Sequence, residues 1–138
     1  MSAKHIFVDT NILVYAHDAD AGNKHQIAVR EVAALWDSQY PPAISTQVLQ
    51  ELYVSMAKKG ASMADCRKIV SIYLDWEIIN HDTQLVLAAM EIRERFKLSL
   101  WDSLIVAAAQ EAKASILWSE DMQVGQRFDN LVVSNPFS

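Results

Sequence analysis

Four carboxylates, Asp9, Glu51, Asp102 and Asp121, stand where a fold could gather them. Asp9 directly follows the apolar run Ile6-Phe7-Val8, and Asp121 follows a second apolar run, residues 115–118, with Ser119 and Glu120 between. In an open parallel sheet, sites form beyond the carboxyl ends of the strands, so these two acids share an edge if their strands are neighbours. Asp102 opens the most apolar helical stretch of the chain. Glu51 falls about 60° outside the apolar arc of its own helix, beside Ser55. Carboxylates brought together repel one another, and their pKa values rise unless cations compensate. An all-oxygen set suits Mg²⁺ or Mn²⁺ better than zinc. Nothing here favours zinc: Cys66 is the single cysteine, and His17 and His25 lie eight apart in a polar stretch.

Taken one at a time, each acid has an ordinary explanation. Ser99-x-x-Asp102 matches a capping box, and an acid in a first helical turn is favoured by the helix dipole. Glu51 reads alone as a solvated rim residue, and Asp9 and Asp121 as turn residues that cap local backbone. A joint explanation requires less coincidence than four separate ones.

The elements that must position these residues alternate between strands and helices. Residues 5–8 predict a short buried strand, 9–11 a polar turn and 12–16 a brief helical turn. Residues 24–38 carry apolar side chains at a helical period and are ended by Pro41-Pro42. Residues 43–44 predict a very short strand, and 46–59 a helix with Gly60 just past its end. Ser62 and Asp82 are N-caps for helices over 63–74 and 83–96. Residues 76–79, 115–118 and 131–133 predict strands, and 101–113 a helix buried nearly all round. This alternation implies right-handed crossovers and an α/β sandwich, a mostly parallel sheet of four to five short strands flanked by helices.

The length of 138 residues suits one domain spanning residues 1–138. Residues 1–4 are polar and unlike a secretory leader, and no apolar stretch approaches the roughly 20 residues a membrane helix needs. A lone cysteine fits a reducing compartment, so the expected location is the cytoplasm. The net charge of −5 argues against a passive nucleic-acid binder, which usually carries a basic surplus. It counts less against an enzyme that reaches phosphate through bound cations.

In this order, on these elements, Val8-Asp9-Thr10-Asn11-Ile12, Glu51, Trp101-Asp102-Ser103 and Ser119-Glu120-Asp121 together resemble the PIN domain. The stand-alone size resembles the VapC-type toxins of toxin–antitoxin pairs. The resemblance implies an endoribonuclease using Mg²⁺ or Mn²⁺, with Asp9, Glu51, Asp102 and Asp121 as the acidic positions. It implies that Asn11 and Ser119 orient ligands or phosphate. Glu120 adds a carboxylate beside the fourth position, so that role could be shared or shifted by one. The resemblance further implies a homodimer and an antitoxin partner, for which Trp36, Tyr40, Tyr53, Tyr73 and Trp76 are aromatic surface candidates. Lys58 and Lys59, Arg67 and Lys68, and Arg93, Arg95 and Lys97 are candidate RNA contacts, equally readable as solvated faces. If they bind phosphate, affinity falls steeply with salt.

Other classes fit less well. A receiver domain would need a lysine after a late strand, where this chain has Ser119-Glu120-Asp121. A haloacid-dehalogenase-type phosphatase would need a second Asp where Asn11 stands. An RNA-processing enzyme, or a non-catalytic RNA-binding module without an antitoxin, keeps the same fold.

Overall fold

The structure, a computed structural model, describes residues 4–138. Of the polar opening stretch read above, residues 1–3 lie outside the described residues. Six strands form one sheet: β1 (Ile6–Val8), β2 (Ala43–Ser45), β3 (Glu77–Ile79), β4 (Ile116–Trp118), β5 (Arg127–Phe128) and β6 (Leu131–Ser134). Their order is β3-β2-β1-β4-β6-β5, and every pairing is parallel except β5 with β6. Phe7, Val8, Ile44, Leu117 and Val133 are buried, as expected of parallel strands covered by helices.

Six helices connect and flank the sheet: α1 (Thr10–His17), α2 (Asn23–Trp36), α3 (Thr46–Lys58), α4 (Met63–Ile72), α5 (Thr83–Phe96) and α6 (Leu100–Glu111). α1 packs on α2 and α3, α3 on α4, and α5 on α6. Ser45, Ser62, Asp82 and Ser99 each cap a helix by accepting a hydrogen bond from a backbone N–H in its first turn. The whole of residues 103–109 on α6 is buried, the polar Ser103 together with the apolar run 104–109.

Three details depart from expectation. The sheet has one strand more than four to five, because Arg127-Phe128 turns back to pair antiparallel with β6. Two residues are too few to show an alternating pattern. Asp9-Thr10-Asn11 is not a turn: Asp9 is the N-cap of α1, its carboxylate accepting from Thr10 N at 2.8 Å, and Thr10 and Asn11 form the first helical turn. Tyr73 and Trp76 belong to the core, packed edge to face with ring centroids 4.9 Å apart. Trp36, Tyr40 and Tyr53 remain exposed.

The chain runs outward from β1 through β2 to β3, then returns to the other side of β1 with β4. The strand order therefore switches between β1 and β4, and a crevice opens beyond their carboxyl ends. The register sets Phe7 against Leu117 and Val8 against Trp118, and Asp9 N extends the ladder to Trp118 O at 2.9 Å. This pairing fixes Asp9 next to the residues that follow β4.

Candidate active site

A pocket of about 370 Å³ opens at the switch point, and Asp9, Glu51, Asp102 and Asp121 all line it. α1, α3, α6 and the turn after β4 each contribute one acid or its cap. Asn11, Gln47, Lys58 and Trp101 also reach the wall. The two expected helpers take part directly. Ser119 Oγ donates to Asp9 Oδ2 at 2.9 Å, and Asn11 Nδ2 reaches both Asp121 oxygens at 3.1 and 3.3 Å.

The electrostatics follow from crowding acids in a buried corner. Asp9 is only 6% exposed, and its carboxyl is pushed up to about 7. Burial is the main cause, the charges of Asp121 and Glu51 add to it, and the hydrogen bonds from Thr10 N and Ser119 oppose it. Asp102 also lies above the usual carboxylate range, chiefly through burial, then through the charge of Asp121, with Ser99 opposing. Glu120 behaves in the opposite sense. Burial would raise it, but hydrogen bonds from Lys24 and Tyr15 outweigh burial and hold it below its ordinary value.

At the start of α6, different residues supply the cap and the pocket acid. The N-cap bond of α6 is made by Ser99 Oγ, which accepts from Asp102 N at 3.0 Å. Asp102 supplies the backbone donor of that bond, and its half-buried side chain lines the pocket.

The chain matches the PIN domain over residues 6–128. It belongs to the PIN-domain family. A comparison with curated proteins finds no significant match. Among solved structures, a toxin–antitoxin complex from Klebsiella pneumoniae is 27% identical, with 96% of this chain covering 97% of that one at a TM-score of 0.68. A VapBC complex of Rickettsia felis bound to a promoter DNA fragment is 26% identical, over 94% of this chain and 97% of that one, with a TM-score of 0.68. VapC20 of Mycobacterium tuberculosis, a sarcin–ricin-loop-cleaving toxin, is 23% identical over 84% of this chain and 91% of its own, with a TM-score of 0.66.

Several residues of this PIN site carry no signal that sequence alone could rank. Thr10 Oγ1 donates to Glu51 Oε1 at 2.7 Å, so the residue beside Asp9 positions the acid of α3. Its only hint was its place directly after Asp9. Gln47 Nε2 donates to Trp101 O at 3.4 Å, while Gln47 Oε1 is buried without a partner. Trp101 is 66% exposed on the pocket rim. Of the basic residues read as RNA contacts, Lys58 lines the pocket. Lys59 pairs with Asp18 at 2.9 Å, Arg95 with Asp129 at 3.5 Å, and Arg93 donates to Leu98 O at 3.3 Å. His17 Nε2 contacts the Tyr73 hydroxyl at 2.7 Å and His25 Nδ1 the Tyr15 carbonyl at 2.8 Å.

The donor set can be tested against a divalent cation. Its oxygens are hard donors, and two of the four acids are held above the usual carboxylate range, chiefly by burial and further by neighbouring carboxylates. Among the described residues, no three Asp, Glu, His or Cys side chains converge closely enough to cage one ion. An open, oxygen-only set suits Mg²⁺, which keeps several waters and takes one or two carboxylates alongside substrate phosphate. The residues present fit such an ion.

Proposed function

We propose that this PIN domain is a divalent-metal-dependent endoribonuclease that hydrolyses phosphodiester bonds in RNA and serves as the toxin of a toxin–antitoxin module. The observation that carries this reading is the convergence of Asp9, Glu51, Asp102 and Asp121 on one pocket at the topological switch point. Asp9, Glu51 and Asp102 would hold Mg²⁺ or Mn²⁺ directly or through water, with Asp121 as the outermost, weakest ligand. Such an ion, when bound, polarises phosphoryl oxygen and makes water a competent nucleophile near neutral pH.

The chain's own residues do the rest. Ser119 orients the Asp9 carboxylate and Thr10 that of Glu51, as hydrogen-bonded supports of metal ligands do. Asn11 sets the direction of Asp121. Lys58 and the exposed face of Trp101 flank the pocket, where a phosphate and an unstacked base of single-stranded RNA would lie. The likeness to toxin–antitoxin structures over nearly the whole chain supports an antitoxin partner. No helix among the described residues is long and apolar enough to cross a membrane, which accords with a cytoplasmic enzyme.

The test is cleavage of total RNA by the purified protein. Cutting is expected with Mg²⁺ or Mn²⁺ and is lost with EDTA; a well-folded protein that cuts no RNA under any metal would overturn the nuclease reading. A homodimer is also proposed, consistent with the exposure of Trp36, Tyr40 and Tyr53. Sizing at micromolar concentration should then give twice the 15.5 kDa chain mass. Elution as a monomer would remove the dimer.

A further inference from the structure

Three consecutive residues after β4 point three ways. Ser119 is fully buried beneath Asp9, and Asp121 faces the pocket. Glu120 turns toward α1 and α2, where it accepts a hydrogen bond from the Tyr15 hydroxyl at 2.7 Å and another from Lys24 Nζ. The Lys24 ammonium also lies over the rings of Tyr15 and Phe137, 5.1 and 5.8 Å from their centroids. Phe137 packs edge-on against Tyr15 with centroids 5.3 Å apart.

Asn11 and Tyr15 stand four residues apart on α1 and so share a face. Asn11 grips Asp121 while Tyr15 grips Glu120, so one helix holds two successive residues of the turn. Ser119 Oγ closes the arrangement by accepting from Asp121 N at 3.2 Å while donating to Asp9. Rotating Glu120 into the pocket would forfeit both of its partners and leave the Lys24 ammonium unpaired.

We propose that Glu120, Tyr15 and Lys24 form a latch that positions Ser119 and Asp121, making Glu120 a positioning residue and not a fourth metal ligand. The catalytic consequence rests on the nuclease reading above; the latch itself does not. A surface ion pair by itself contributes little to stability, so the worth of this one lies in what it holds still.

The full-length chain with Tyr15→Phe, Lys24→Met or Glu120→Gln tests the latch through three readouts. Hydrogen exchange across residues 119–122 should rise in all three variants. Mn²⁺ binding without RNA, followed by electron paramagnetic resonance, should weaken in all three, and kcat on an RNA oligonucleotide should fall about tenfold with KM nearly unchanged. Glu120→Gln combined with Lys24→Met should be no worse than either alone, because both remove the same ion pair. Loss of Mn²⁺ binding in Glu120→Gln alone would make Glu120 a ligand and overturn the proposal. A lower melting temperature in all three, with exchange in the turn, Mn²⁺ affinity and kcat unchanged, would reduce the cluster to a structural contact. A wild-type chain that neither binds Mn²⁺ nor cuts RNA would overturn the nuclease reading. Faster exchange at 119–122 would still uphold the latch in that event, and unchanged exchange would end it too.

Discussion

Asp9→Asn should lower RNA cleavage by at least about 10³-fold, the scale of loss when a charged group acting at the reacting centre is removed. It should do so while leaving the fold intact, and without metal it should make the protein more stable. The Asp9 carboxyl titrates near 7 in the folded protein against 3.8 in an unconstrained chain. Between those values the folded state binds a proton more readily than the unfolded state, so stability falls as pH rises. The stabilising preference for protonated Asp9 is fully present below 3.8 and gone above about 7, where the buried carboxylate is ionised. At pH 8 that ionisation costs at most about 4 kcal/mol. Asparagine keeps the shape and carries no charge, so metal-free Asp9→Asn should melt above the wild type at pH 8 and show a flatter pH profile. Mg²⁺ should raise the wild-type melting temperature and leave that of the variant nearly unchanged. Full cleavage activity in Asp9→Asn would refute the site. A metal-free variant melting below the wild type at pH 8 would refute the cost assigned to burial.

Asp102→Asn separates a helix cap from a working acid. The cap of α6 is made by Ser99 Oγ, and Ser103 Oγ adds a bond to Ser99 O at 2.8 Å, so the substitution leaves both in place. The loss to the helix is the dipole interaction, about 0.3–1 kcal/mol, together with whatever the Ser99 hydroxyl gains from the Asp102 charge. Cleavage should nevertheless fall by more than about 10²-fold, beyond what supporting residues of a metal site usually carry. Ser99→Ala should show the reverse pattern. It removes the cap, costs about 1 kcal/mol of stability and retains cleavage. Thermal melts and initial rates on one RNA substrate suffice to compare them. Equal rates in wild type and Asp102→Asn would return Asp102 to an ordinary first-turn acid.

The boundaries of α3, α5 and α6 were legible because an amphipathic or wholly apolar helix repeats its signal over three turns or more. Ser62 and Asp82 were legible as caps because a short polar side chain just before an apolar period has a local partner in the first turn. β5 was not, since a two-residue strand exists only through its pairing with β6. The start of α1 was obscured because Asp9, Thr10 and Asn11 are all turn-forming types. Their helical role depends on Asp9 being held at the end of β1 by the carbonyl of Trp118.

The sequence by itself determined the α/β class and the chemistry of the donors. Both are written in local patterns: strand and helix periods, an oxygen-only set of acids and a single cysteine, which proves buried and free. Which acids face one another was decided only by the tertiary structure. Asp9 and Asp121 meet because β1 pairs with β4 in one register, and Glu51 joins them because Thr10 reaches across from α1. Between the adjacent Glu120 and Asp121, no local rule chooses. The backbone of a turn can aim either side chain at the pocket, and the choice fell to Lys24 and Tyr15, which lie close only after α1 and α2 have packed.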